Sequence, residues 1–216
     1  MTQPSLTLHH FPGACSRVTV CALEMAKLDY SLELVDLPNN AQNGAGYLAI
    51  SPLGKVPLLI ADGMPMAENA ALLTYIAMLR PDSGVFPRDP SPWALAETIG
   101  GLSFCAGTVH SQIRGLANPA RLTVGDVEPV REMARSLVEK SFAYAERRLA
   151  ERGWWTGGVT IVDVYVDWTF SVARKHGFDI APYPTVASLP ERLHDALPAY
   201  ARMLAEEAAS FRTLGL

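Results

Sequence analysis

Between Arg80 and Pro92 the sequence reads Arg-Pro-Asp-Ser-Gly-Val-Phe-Pro-Arg-Asp-Pro-Ser-Pro, with four prolines and one glycine. No regular helix or central strand survives such a run, because proline removes a backbone N–H and fixes φ. The run therefore reads as a linker, and the patterning differs on its two sides. On the N-terminal side, short alternating segments change places with helical ones. Ser5 to His10 puts Leu6 and Leu8 on one face, as a strand does. Phe11-Pro-Gly13 ends it, and Val18, Ala22 and Met25 then fall at helical spacing, with Ser16 placed to cap that helix. Tyr30 to Leu34 and Val56 to Ile60 read as further strands, and Met64-Pro-Met66 as a short edge strand. A polar stretch from Pro38 to Gly44 leads into a short helix, and Ala67 to Leu79 returns to helical period. The order is β-α-β-α-β-β-α.

Beyond the linker the alternation stops. Trp93 to about Arg114 reads as a helix, and Asn118-Pro119 and Gly125 mark a loop. Val130 to Leu149 carries a long amphipathic stripe, and Thr160-Ile-Val-Asp163 opens another helix with a capping-box pattern. Pro198 separates two short helices near the end. The expected organisation is an α/β domain over residues 1–80, a linker over 81–92 and an all-α domain over 93–216.

Composition limits what such a chain does. Hydrophobic residues make up 49 % and charged residues 19 %, which supports a packed core and argues against disorder. The net charge of −4, with no basic tract, excludes an electrostatic nucleic-acid binder. No apolar run approaches the roughly 18–20 residues of a membrane span. The N-terminus lacks a basic region followed by an apolar core, so no secretory signal is expected. Three cysteines do not make a disulfide framework, and a reducing cytoplasmic setting is expected. No metal-ligand spacing occurs among the histidines and cysteines, and no metal is expected.

Four places could carry chemistry. Cys15 stands where a strand hands over to a helix, and the unpaired N–H groups and positive dipole there favour a thiolate. The position alone reads equally as a buried structural cysteine beside a capping serine. Arg17 adds positive potential. Cys21 is six residues on, about 9 Å along the axis and on another face, so no dithiol forms. Val56-Pro57 puts a proline inside an apolar strand pattern, for which a cis bond is one explanation. Glu68-Asn69 opens a helix, where free N–H groups bind a carboxylate and Glu68 accepts from an ammonium group; plain capping is the other reading. Trp154, Trp155 and the Thr160–Asp163 box read as structural.

In this order the motifs resemble a glutathione S-transferase over nearly the whole chain. The resemblance rests on Pro12-Gly-Ala-Cys-Ser16, Ser51-Pro-Leu-Gly-Lys-Val-Pro57-Leu, Met66-Ala-Glu68-Asn69, the proline linker and Thr160-Ile-Val-Asp163. It looks most like the bacterial beta class, whose characteristic cysteine falls on Cys15. It implies an α/β thioredoxin-like N-terminal domain plus an all-α C-terminal helical domain, a cis bond before Pro57 and a homodimer. It implies glutathione as co-substrate, its thiolate attacking a small hydrophobic electrophile seated against Phe11 and the Trp93–Arg114 helix. The implied catalytic residues are Cys15, Ser16 and His110. The implied glutathione contacts are Cys15, Val56, Pro57, Glu68, Asn69, His10 and Lys55, with the Val56 backbone on the cysteinyl part and Glu68 and Asn69 on the γ-glutamyl end. The chain departs from the family pattern at three places. His10 stands for the beta-class tyrosine, Asn69 for the usual serine, and Ser111 for the lysine that often follows the histidine matched by His110. Two alternatives stay open: Cys15 as the covalent site of a thiol transferase or reductive dehalogenase, and a non-catalytic binding or regulatory protein.

Overall fold

Leu6, Leu8 and His10 are buried while Thr7 and His9 between them are half-exposed, the signature of a strand with one face on a core. A computed structural model describes residues 3–89 and 91–216. The first two residues, part of the segment read for a leader, and Pro90 of the proline run lie outside the described residues. The strand is β1 (Leu6–His10), and it runs second in a four-stranded sheet with β2 (Ser31–Leu34), β3 (Leu58–Ala61) and β4 (Met64–Ala67) in the order β2-β1-β3-β4. β1 pairs parallel with β2, Leu8 opposite Leu32, and antiparallel with β3, Leu8 opposite Leu59. β4 is the antiparallel edge, as its exposed proline permits.

Helices α1 (Ser16–Ala26), α2 (Ala45–Ile50) and α3 (Asn69–Leu79) occupy the predicted places. α1 packs on β1 and α3 through Val18, Ala22, Leu72, Leu73 and Ile76, all fully buried. This is the expected thioredoxin-like arrangement, and the bond between Val56 and Pro57 is cis. Ser16 does not cap α1. It is the first helical residue, and Cys15 holds the cap position without a side-chain cap bond. The residue type was right for a cap, but the helix begins one residue early.

The chain then forms α4 (Pro92–Ser103), α5 (His110–Ala117), α6 (Glu128–Arg152), α7 (Ile161–Lys175), α8 (Pro184–Ala187), α9 (Leu189–Ala196) and α10 (Pro198–Leu214). The helix expected from Trp93 to Arg114 is interrupted by a π-helical stretch from Phe104 to Val109. α7 is buried from Ile161 to Phe170 and forms the axis of the helical unit. Gly115 lets α5 approach α6, since a Cβ there would lie 2.6 Å from the Ala134 Cβ. The capping box is present: Asp163 accepts from the backbone N–H groups of Thr160 (2.9 Å) and Trp155 (2.7 Å).

Two compact units emerge, and their boundary differs from the expected one. Pro87–Ala196 is the helical unit, whereas Leu197–Leu216 groups with Met1–Phe86. α10 is no short helix, spanning 17 residues, and it lies against α1. The reason is polar as well as apolar. Glu207 meets Arg17 at 3.2 Å, and Arg202 meets Glu24 on α1 at 2.5 Å.

Candidate functional site

The turn from Phe11 to Cys15 joins β1 to α1, and four elements hold it. Gly13 sits at φ +81°, which a side chain rarely adopts, and its N–H donates to Glu207 Oε1 on α10 at 2.8 Å. The same carboxylate pairs with Arg17, so the positive potential expected from Arg17 is neutralised locally. From the sheet side, Ser16 Oγ donates to the Phe11 carbonyl (3.2 Å), accepts from the Phe11 N–H (3.3 Å) and meets His10 Nδ1 at 2.8 Å. The Ser16 hydroxyl is therefore committed inward.

Burial drives the His10 pKa down to about 4, and the nearby Arg17 charge pushes it the same way. The ring is neutral at pH 7. With the Ser16 proton on the Phe11 carbonyl, Nδ1–H donates to Oγ and Nε2 is left a lone-pair acceptor. Nε2 is buried and has no hydrogen-bond partner among the described residues.

Cys15 is 8 % exposed, and its Sγ lies 3.8 Å from the Val56 carbonyl oxygen. The cysteine and the residue before cis-Pro57 are thus neighbours although 41 positions separate them. Lys55 is exposed, and its carbonyl is held by Tyr47 Oη at 2.8 Å and Ser51 Oγ at 3.2 Å, which fixes the approach to Val56.

Glu68 takes φ +69° and ψ 112° at the start of α3. A non-glycine residue there stores backbone strain of about 1–3 kcal/mol, the kind that persists where surrounding structure holds it. Its side chain is exposed, and the N–H groups of Asn69 and Ala70 behind it have no intrahelical partner by position. The Asn69 side chain is spent elsewhere. Its Oδ1 accepts from Thr19 Oγ1 at 2.6 Å and its Nδ2 donates to the Cys15 carbonyl at 2.9 Å. Asn69 is 4 % exposed, so it ties α3 to the start of α1, and a ligand at α3 is left its backbone N–H.

Eight of the nine sequence-derived positions thus lie in the thioredoxin-like unit, with Cys15, Val56, Ser16, His10 and Asn69 in one bonded neighbourhood. His110 belongs to the helical unit, where its ring stands edge-on to Trp168 at 4.7 Å between centroids. Sequence reasoning missed Thr19 and Glu207. Thr19 lies on the same helical face as Cys15, one turn on, a spacing that could have drawn attention to it. Nothing local signals Glu207, 194 residues from Gly13. No cluster of His, Cys, Asp and Glu among the described residues could hold a metal.

Residues 4–78 match the family model described as glutathione S-transferase, N-terminal domain. The glutathione S-transferase GstA of Escherichia coli O157:H7 is 31 % identical over 172 residues, covering 78 % of this chain and 81 % of that protein. The chain belongs to the glutathione S-transferase family. The fold agrees over most of the chain. A sphingomonad glutathione S-transferase complexed with glutathione superposes with a TM-score of 0.82 at 29 % identity, over 94 % of this chain and 98 % of the other. A bacterial beta-class glutathione S-transferase of Sphingomonas chungbukensis matches with a TM-score of 0.81 at 26 % identity, over 93 % of this chain and 98 % of the other. A probable maleylacetoacetate isomerase of Caenorhabditis elegans is 28 % identical over 204 residues, 92 % of each chain. As a glutathione S-transferase, the protein is an enzyme of a family whose co-substrate is glutathione. No helix among the described residues is long and apolar enough to cross a membrane.

Proposed function

We propose that this protein binds glutathione on its thioredoxin-like unit and transfers it to a small electrophile taken up by the helical unit. The observation that carries the reading is the pairing of Cys15 Sγ with the Val56 carbonyl beside cis-Pro57. A peptide laid along Val56 finds backbone donor and acceptor there, with its own thiol close to Cys15. Its γ-glutamyl end falls to Glu68, whose carboxylate accepts from an ammonium group, and to the first N–H groups of α3, which suit a carboxylate. Asn69 positions this site through Cys15 rather than contacting the ligand with its amide.

Glutathione's thiol is mostly protonated at neutral pH, so it must lose its proton to attack. The start of α1 favours the anion, and the proton leaves to solvent. The thiolate then forms a C–S bond with the electrophilic carbon. Either a leaving group departs with its electron pair, or a double bond shifts its pair to the next carbon, which takes up a proton.

A second reading is favoured by the isomerase relative. The same addition to a double bond, followed by rotation and expulsion of the thiolate, isomerises the substrate and returns glutathione. Glutathione consumption separates the two readings: transfer consumes it in proportion to product, and isomerisation does not.

The test of the site is glutathione calorimetry together with intact-mass measurement after oxidised glutathione, on wild type and Cys15→Ser. Binding without an adduct, with conjugation largely kept in Cys15→Ser, is expected. A mixed disulfide on wild type alone makes Cys15 the covalent group: its thiolate attacks one sulfur of oxidised glutathione and releases the other half as thiolate. No glutathione binding at millimolar ligand overturns the proposed function. The active form we propose is a cytoplasmic homodimer. Leu95 and Ile99, one turn apart on α4, are 51 % and 36 % exposed, an apolar strip that association would cover, and sedimentation at twice the chain mass is expected.

A further inference from the structure

The helical unit carries a partly open cavity of about 370 Å³ whose polar lining is cationic or neutral. His110, Arg114, Asn118, Arg121 and His176 line it, and no carboxylate among the described residues does. The arrangement follows from helix periodicity. His110, Ile113, Arg114 and Ala117 recur at the spacing of one face of α5, and Val172 and His176 are one turn apart at the end of α7. Asn118 and Arg121 come from the 3₁₀ turn that follows α5. Ile113, Leu122 and Val172 supply apolar wall.

Two other cavities of the same unit show what a neutralised lining looks like. In one, Glu97 meets Arg148 at 2.6 Å and also binds Arg152. In the other, Arg135 and Lys140 share the wall with Glu139 and Asp179. Neither Arg114 nor Arg121 has an ion pair among the described residues. Arg114 stands in the last turn of α5, where a cation also complements the helix dipole. That accounts for one positive charge on the helix. It does not account for a second guanidinium and two imidazoles on the same cavity. Burial lowers the His176 pKa, with the Lys175 charge adding to the effect, so at neutral pH this ring offers a hydrogen bond more than a charge.

We propose that this cavity binds the carboxylate of a small organic acid, Arg114 and Arg121 holding the anion and the apolar wall holding its hydrocarbon part. A guanidinium fork matches a carboxylate with two parallel hydrogen bonds. The inference deepens the reading above, on which it rests for the cavity's use though not for its occupancy. The electrophile is an anionic one, narrower than the hydrophobic class the family resemblance implied.

The test is a calorimetric titration of the full-length protein with 3-benzoylpropionate, an aryl keto acid with no reactive double bond, and with its methyl ester. The acid is expected to bind at least tenfold more tightly than the ester. Arg114→Gln/Arg121→Gln should abolish that difference, and Arg114→Lys/Arg121→Lys should restore part of it. Equal affinity for acid and ester, no binding of the acid, or an acid preference that survives in the glutamine variant overturns the proposal. The wild-type comparison of acid with ester needs no variant to fold. A parallel glutathione titration keeps the two readings apart. Failure to bind glutathione overturns the proposed function and leaves the acid site standing, and glutathione binding with acid and ester equal overturns the acid site alone.

Discussion

Each unit of this molecule buries a small polar cluster around a titratable group, His10 in one and Asp163 in the other, and the two clusters solve the same problem in opposite ways. In the thioredoxin-like unit His10, Ser16, Thr19 and Asn69 are almost fully buried and uncharged, and the cluster leaves one atom, His10 Nε2, without a partner among the described residues. In the helical unit Asp163 is fully buried in the first turn of α7 and accepts from two backbone N–H groups and the Thr160 hydroxyl. Burial disfavours the charged form of both groups. It lowers the His10 pKa to about 4 and raises that of Asp163 to about 6, against the hydrogen bonds that pull the carboxyl back down. The saturated cluster is a fastening within one unit. The incomplete one adjoins the turn that carries Cys15.

The largest break in the comparison comes from emptying the saturated cluster. Asp163→Ala leaves the N–H groups of Trp155 and Thr160 buried without an acceptor, at a cost of about 3–5 kcal/mol in urea unfolding. A loss below about 1 kcal/mol would mean that water replaces the carboxylate and that the cluster is no fastening.

Next comes the acid limb of stability. The folded-state pKa of His10 lies below its ordinary value of 6.5, so the unfolded chain takes the proton first and stability falls from pH 6.5 to about 4, by about 3 kcal/mol. Asp163 lies above its ordinary 3.8, so the folded chain takes the proton first and stability rises as pH falls from about 6 to 3.8, again by about 3 kcal/mol. The two contributions oppose each other over one window. Relative to wild type, His10→Phe should lose its acid sensitivity and Asp163→Asn should become more acid-sensitive. Denaturant unfolding at pH 4, 5, 6 and 7 reads both slopes, and slopes of the same sign would abolish the contrast.

A smaller effect sharpens the first cluster. Asn69→Ala removes the bonds to Thr19 and to the Cys15 carbonyl, and should cost about 2 kcal/mol while weakening glutathione binding without removing it. Asn69→Ser tests whether the shorter side chain of the family pattern reaches either partner. The smallest effect is Glu207→Gln, about 1 kcal/mol by thermal unfolding, since the amide oxygen still accepts from Gly13 but no longer pairs with Arg17.

These clusters also mark what was legible in the sequence. Thr160 and Asp163 are three residues apart, and the capping box is a local device, so type and spacing sufficed. The order of strands and helices was local too, carried by periods of two and 3.6. The bonded partners of Asn69 are Thr19 and Cys15, 50 and 54 residues away, and no spacing rule joins them. The sequence therefore singled out Asn69 without showing that its amide binds Thr19 and the Cys15 carbonyl. Ser16 failed for a subtler reason: a serine beside a helix start suits the cap and the first turn alike, and the sheet-side partners His10 and Phe11 decided between them. The π-helical stretch from Phe104 to Val109 left no trace in the apolar stripe.

The allegiance of α10 carries a consequence for how the protein is made. The thioredoxin-like unit is discontinuous in sequence: Leu197–Leu216 is synthesised only after Pro87–Ala196, which separates it from Met1–Phe86. At ordinary translation rates the ribosome adds the intervening hundred or so residues over roughly 5–20 s. During that interval Gly13 and Arg17 exist without Glu207, and the apolar side of α1 waits for its covering helix. A proteolytic clip ahead of Leu197–Leu216 therefore acts on the Cys15 turn, since Glu207 holds Gly13 from 194 residues away.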